Sequence, residues 1–275
     1  MSGQLAGVSL ALVGAGKMGL AMLEGWAARG LAGPKALIAE PTPSPQLAAL
    51  CAASCYSLVA DPAGAAPADV LVLAVKPQML DAAAPALQGL VGPQTLVVSI
   101  LAGKSVANLA ARLPGTRAIV RAMPNTPAAI GRGVTGAFAN AAVAPSQRAL
   151  ADALLGAVGG VEWVEDEALI DAVTAVSGSG PAYVFHLVEA LAAAGAQAGL
   201  PPDLATRLAR ATVEGAGELL YRNPALGAET LRQNVTSPGG TTAAALAVLM
   251  GADGLGPLME KAVAAAKRRA GELAG

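Results

Sequence analysis

Short runs of aliphatic and β-branched residues alternate with longer Ala- and Leu-rich stretches through the first half of the chain. Runs at residues 8–13, 36–39, 70–75, 95–100 and 117–120 predict strands, and the stretches between the earlier runs predict helices. That rhythm of βαβ units predicts an α/β fold on a doubly wound parallel sheet. Residues 134–138 and 161–164 fit further strands at its edge. Beyond about Glu165 the strand pattern stops. Helices are predicted over 167–174, 180–198, 202–221, 241–250 and 256–273, punctuated by Gly199, Pro201-Pro202-Asp203 and Gly251. The expected division is a sheet domain over residues 1–164 and an all-α domain over residues 165–275.

Several helices of the second half are apolar nearly all round. Such a helix is normally buried, and a segment of this size cannot bury them all by itself, so the all-α domain is expected to pack against its copy in a homodimer. Composition agrees: 54% of residues are hydrophobic, 13% charged and 3% aromatic. A net charge of −1 excludes the electrostatic footprint of a nucleic-acid or anionic-membrane binder. The one basic run, Lys267-Arg268-Arg269, reads as the solvated end of the last helix. The best membrane candidate, residues 172–188, holds Ser177-Gly178-Ser179-Gly180-Pro181 and His186 and is rejected as a span. No basic region precedes the first apolar stretch, which Lys17 interrupts, so no secretory signal is expected. Cys51 and Cys55 lie four apart on a predicted helix. With one histidine and two cysteines in the chain, neither a metal site nor a disulfide framework is expected, and a cytoplasmic location is the default.

Two motifs carry chemistry. Gly14-Ala15-Gly16-Lys17-Met18-Gly19 follows the first strand and opens the first helix. Gly14 suits the tight turn, Gly16 leaves room for a pyrophosphate and Gly19 allows close helix–strand packing, the fingerprint of a Rossmann-type dinucleotide-binding domain. Glu40 ends the second strand about 20 residues further on, where a carboxylate accepts hydrogen bonds from the adenosine ribose. A carboxylate there repels a 2′-phosphate and favours NADH over NADPH. The alternative is that Glu40 turns outward and the hydroxyl of Thr42 or Ser44 faces the ribose.

The second motif is Asn234-Val235-Thr236-Ser237-Pro238-Gly239-Gly240-Thr241-Thr242, running into a string of strong helix formers. It places glycines and short hydroxyls at the N-terminal mouth of a helix, where N–H groups and the macrodipole favour an anion such as a small carboxylate. Taken alone, the string also fits an ordinary helix cap with a glycine turn.

With both motifs in view, the chain resembles the pyrroline-5-carboxylate reductase family over essentially its whole length. The strings Ala74-Val75-Lys76-Pro77, Arg121-Ala122-Met123-Pro124-Asn125-Thr126-Pro127, Ser177-Gly178-Ser179-Gly180-Pro181-Ala182-Tyr183 and Gly199-Leu200-Pro201 complete the match in order. The resemblance implies reduction of 1-pyrroline-5-carboxylate to L-proline with NADPH or NADH, the last step of proline biosynthesis. It implies an N-terminal Rossmann-type domain, an all-α C-terminal dimerisation domain, and higher assemblies built from dimers, decamers included. By position, Gly14, Ala15, Gly16, Lys17, Met18 and Gly19 would hold the pyrophosphate. Ala74, Val75, Lys76 and Pro77 would line the nicotinamide side, with Ala102-Gly103 and Asn125. Asn234 would contact substrate or cofactor. Ser237, Gly240, Thr241 and Thr242 would hold the substrate carboxylate, and the Thr242 hydroxyl would meet the ring nitrogen as the catalytic contact. NADPH-using relatives often place small hydroxyl residues and an asparagine where this chain has Glu40-Pro41 and Asp61, which leans again towards NADH.

Hydride adds readily only to a protonated imine. No His, Asp or Glu accompanies the Asn234–Thr242 segment, so catalysis is expected to rest on positioning and electrostatics more than on a strong general acid. His186 reads as a packed or interface residue, and Ser177 to Pro181 as a helix cap that allows close packing. One rival is another Rossmann-plus-helical dehydrogenase acting on a β-hydroxy acid or a different cyclic imine. The all-α half offers arginines but no lysine until Lys261 and Lys267, which weighs against the hydroxy-acid enzymes. A non-catalytic nucleotide-binding protein would have no need of the second motif.

Overall fold

The computed structural model describes residues 7–30 and 35–273; residues 1–6, at the start of the segment read above for a secretory signal, lie outside them. The described residues form two compact units, divided after residue 178, with the chain returning to the first unit from residue 266.

In the first unit the elements run β1 (Leu10–Val13), α1 (Lys17–Ala28), β2 (Ala36–Ala39), α2 (Pro45–Ser54), β3 (Ser57–Val59), β4 (Val70–Leu73) and α3 (Leu80–Leu87). They continue with β5 (Leu96–Ser99), α4 (Val106–Arg112), β6 (Ala118–Met123), β7 (Gly133–Ala139), α5 (Pro145–Leu155), β8 (Gly159–Trp163) and α6 (Leu169–Val173). The eight strands form one sheet in the order β3-β2-β1-β4-β5-β6-β7-β8. Six neighbouring pairs are parallel. β7 runs antiparallel to β6, so the expected parallel sheet carries two reversed strands, β7 and β8, at the edge where they were expected. The connection from β6 to β7 is a short 3₁₀ turn, Thr126–Ile130, which cannot make the crossover that a parallel return needs.

Successive residues of each strand point to opposite faces, so both faces become core. Leu10, Leu12, Val70, Val72, Val98 and Val120 pack beneath α1, where Met22, Leu23 and Trp26 are fully buried. The Trp26 indole N–H donates to the Leu154 carbonyl at 2.8 Å, which satisfies the one polar atom this large side chain brings inside. On the other face Ala11, Val13, Leu71, Leu73 and Ile119 meet Leu80, Leu87 and Leu109 from α3 and α4. Helices on both faces are what make a doubly wound sheet.

The sequence missed β3, which is only three residues long. It also ran the helix at 167–174 differently: α6 begins two residues later and then widens into a π-turn over Thr174–Gly178. The Thr174 and Ser177 hydroxyls donate back to the Ile170 and Val173 carbonyls, at 2.7 and 2.9 Å, and so compete with the regular ladder. Cys51 is buried in α2, but Cys55 lies just beyond that helix at φ 56°, so the two cysteines do not share a helix as expected. Burial pushes the Cys51 thiol above its ordinary range.

The second unit holds α7 (Gly180–Gln197), α8 (Pro202–Arg222), α9 (Ala228–Asn234), α10 (Thr241–Leu249) and most of α11 (Leu255–Leu273). Gly199, at φ 102°, ends α7 as expected. α7 and α8 pack together where Gly195 lets Ala205 approach. No residue of α7, α9 or α10 is buried within the chain. No helix among the described residues is long and apolar enough to cross a membrane.

Candidate functional site

The glycine motif forms the turn between β1 and α1. Gly14 sits at φ 89°, and a Cβ there would stand 2.6 Å from the Val75 backbone nitrogen, so this turn admits only glycine beside the chain leaving β4. A Cβ on Gly19 would meet the Gly14 carbonyl at 2.4 Å, so α1 lies hard against the turn it leaves. A Cβ on Gly16 would meet nothing within 4 Å: that side of the turn is open. Lys17, at the first position of α1, is exposed, and Met18 is half-buried.

A cavity of about 690 Å³ opens beside this turn, at the C-terminal ends of β1, β2 and β4. The strand order reverses between β1 and β4, which is where ligands settle in open α/β sheets. Of the expected cofactor residues, Gly14, Gly16, Glu40, Ala74, Val75 and Lys76 line it, together with Asp61. Ala15, Lys17, Met18, Gly19, Pro77, Ala102 and Asn125 do not. Sequence reasoning missed the wall formed by Met79 and by Ala82, Ala83 and Ala86 of α3. The run of alanines in Asp81-Ala82-Ala83-Ala84-Pro85-Ala86 was the available signal, since small side chains on a helix leave room for a flat ligand.

Glu40 faces the glycine turn. One carboxylate oxygen accepts the Ala15 N–H at 2.9 Å and the other accepts the Thr42 N–H at 3.2 Å. The carboxylate therefore closes the turn and places a negative charge on the cavity wall, and Asp61 adds a second carboxylate to the same lining. Ser44 faces elsewhere: its hydroxyl accepts the Leu47 N–H and caps α2. An open glycine turn, a helix N-terminus and an acceptor at the end of β2 suit a dinucleotide.

Asn125 is buried, and its amide is engaged within the fold. It donates to the Ser177 carbonyl at 3.1 Å and accepts the Val134 N–H at 2.9 Å. Ala102 and Gly103 form a tight turn after β5, with Gly103 at φ 71° against the Leu273 backbone at the end of α11.

In the second unit the Asn234–Thr242 segment is not all loop. Asn234 is the last residue of α9, a short polar helix with one large apolar residue, Leu231, and so with no periodicity to announce it. A tight turn follows, with Gly239 at φ 69° and the Gly240 N–H donating to the Ser237 carbonyl at 3.1 Å. Gly240 is the cap of α10, and no side chain caps it. A Cβ on Gly240 would stand 2.5 Å from the Ser237 hydroxyl oxygen, so glycine lets that hydroxyl stand at the helix mouth. Thr241 and Thr242 form the first turn of α10, and Asn234, Ser237 and Thr241 are exposed. The turn joins hydroxyls and helix-end N–H groups in one place, donors that a small anion can accept from.

One other expectation changes, and a second loses one of its two alternatives, packing within the chain, and keeps the interface contact. Ser179 makes no side-chain cap on α7. His186 is not packed within the chain: its side chain is 80% exposed and pairs with Glu189 at 3.0 Å.

Residues 9–103 match the family model described as NADP oxidoreductase, coenzyme F420-dependent. Fold, cleft and match together define a Rossmann-type oxidoreductase that uses a nicotinamide dinucleotide. Residues 167–273 match the model described as pyrroline-5-carboxylate reductase dimerisation. The chain is 43% identical over 266 residues to a pyrroline-5-carboxylate reductase of Pseudomonas aeruginosa, covering 96% of each chain. A solved pyrroline-5-carboxylate reductase from Coxiella burnetii superposes with a TM-score of 0.89 at 36% identity, covering 98% of this chain and 99% of that one. A pyrroline carboxylate reductase from Plasmodium falciparum, solved with NADP bound, superposes with a TM-score of 0.80 at 25% identity, covering 98% of this chain and 99% of that one. The chain belongs to the pyrroline-5-carboxylate reductase family.

Proposed function

We propose that this protein reduces the C=N bond of 1-pyrroline-5-carboxylate to give L-proline, the last step of proline biosynthesis, at the expense of a reduced nicotinamide dinucleotide. The observation that carries the reading is the pairing, in one family member, of a glycine-turn cleft at the sheet's switch point with an uncapped hydroxyl-lined helix mouth.

The bound dinucleotide supplies the hydride. In the first unit, the turn from Gly14 to Gly19 holds the pyrophosphate and Glu40 meets the ribose. Ala74, Val75, Lys76 and Pro77, with Ala102, line the nicotinamide side. Asn125 serves that side from behind, through its two backbone hydrogen bonds. In the second unit, Ser237 and the N–H groups of Gly240, Thr241 and Thr242 hold the substrate carboxylate. Thr242 orients the ring nitrogen and Asn234 flanks it. No ionisable side chain lies between Asn234 and Thr242. These residues orient the substrate and stabilise charge, and the imine proton arrives with the substrate or through water.

NADH is the proposed preferred cofactor, supported by Glu40 and Asp61 on the cavity wall. Like charges at 4 Å repel by about 1–4 kcal/mol between bulk water and a protein surface. No cationic side chain follows Glu40 in Pro41-Thr42-Pro43-Ser44-Pro45-Gln46 to offset that repulsion beside the ribose, and the cation on the lining, Lys76, belongs to the loop after β4. A homodimer is proposed from the match to the dimerisation model and from the exposed apolar helices of the second unit. A cytoplasmic location fits two free cysteines.

Thr242→Ala tests the assignment. Turnover should fall by about tenfold or more, as for loss of a hydrogen bond strengthened in the transition state, with the dinucleotide dissociation constant unchanged. Wild-type turnover in the variant contradicts the role given to Thr242.

A further inference from the structure

One face of β6 grips the segment from Glu167 to Gly178. Arg121 and Met123 share a face of β6 and Asn125 lies just past its end, and each meets that segment with different chemistry. Arg121 reaches Glu167 at 3.3 Å and Asp171 at 3.1 Å. Met123 fills the space where Gly178 has no side chain, and Asn125 holds the Ser177 carbonyl.

Arg121 is the unexpected member, because its side chain is only 6% exposed. A buried ion pair is poor evidence for stability, since desolvation offsets much of the attraction and an apolar residue in this strand would serve as well. Its geometry points elsewhere. The Glu167 oxygen that accepts from Arg121 also accepts the Val106 N–H, at 2.8 Å. Val106 opens α4, directly after the turn through Ala102 and Gly103. That turn lies at the C-terminal end of β5, on the edge of the sheet where ligands bind. It is held on its other side by the Leu273 backbone against Gly103.

We propose that Arg121 is a positioning residue for the reaction. It holds Glu167 on Val106 and thereby fixes the turn that the functional reading above places beside the nicotinamide; the proposal rests on that reading. Without the guanidinium, Glu167 and Asp171 are two neighbouring like charges with their shared cation gone, and Glu167 is driven off the Val106 N–H.

The test compares Arg121→Gln, Glu167→Ala and Glu167→Gln with the wild-type enzyme, each assayed well below its unfolding temperature. Glu167→Gln keeps an acceptor for Val106 and removes only the charge. Arg121→Gln and Glu167→Ala should each lower kcat by about tenfold or more, because small displacements at a reacting centre are costly. The NADH dissociation constant should stay within about threefold, since the glycine turn is untouched, and Glu167→Gln should stay close to wild type. Amide exchange at Val106 should speed up in the first two variants and not in the third. A lower melting temperature with unchanged kcat in Arg121→Gln and Glu167→Ala would show a merely structural role and overturn the proposal. Unchanged protection of Val106 in Arg121→Gln would overturn it as well. Failure of the functional reading is distinguishable, because it appears as absent turnover in the wild-type protein.

Discussion

Glu40 shows how one residue can hold two jobs in tension. Its carboxylate completes the glycine turn by accepting the Ala15 N–H, and the same charge lines the cavity, where the proposed function sets it against a 2′-phosphate. The two jobs separate by substitution. Glu40→Gln keeps an acceptor for Ala15 and removes the charge, so the ratio of kcat/KM for NADH to that for NADPH should fall by about tenfold, the equivalent of roughly 1.4 kcal/mol. Glu40→Ala also releases the turn, and KM should rise for both dinucleotides. Steady-state kinetics with each cofactor decides it. An unchanged ratio in Glu40→Gln would mean that the charge does not select. The position of this carboxylate was legible from its spacing after Gly19. Its bond to Ala15 was not, because nothing local in the sequence says which way a side chain at a strand end turns. Asn125 makes the same point. The sequence marked it as important, but only the fold shows its amide spent on Val134 and Ser177, and Arg121 drew no separate notice.

Among the elements, those with a hydrophobic period or a glycine-marked end were readable. The six strands expected of β1, β2 and β4 to β6, with β7, and the edge strand β8 all appear, shifted by a few residues at their ends. Elements made by long-range contacts were not. β3 is short and α9 lacks an apolar stripe. The π-turn after α6 arises from back-bonding hydroxyls and from the surface it docks on. Val173 sits where Gly136 of β7 has no side chain, and a Cβ at Gly136 would stand 2.4 Å from a Val173 methyl. Gly136→Ala should therefore cost about 1–3 kcal/mol by overpacking. Val173→Ala in the same chain should recover part of that cost. Urea denaturation of the single and double variants measures the coupling, and strictly additive losses would show that the notch is not shared.

At the scale of the molecule, the two units differ in how they are stabilised. The sheet unit buries large side chains on both faces. The helical unit leaves Phe185, Leu187, Leu219 and Leu258 exposed, and the residues of α8 it buries are alanines. That α7 and α10 are apolar nearly all round was legible in the sequence, and a surface of this kind calls for a partner. Light scattering should return the mass of a dimer or of an assembly built from dimers, and a monomer at working concentration would contradict the homodimer. The proposed chemistry is measured by the oxidation of NADH and NADPH by the purified protein with 1-pyrroline-5-carboxylate. Turnover is expected with both, with a higher kcat/KM for NADH. Folded protein that binds dinucleotide yet oxidises neither in the presence of the imine would contradict it.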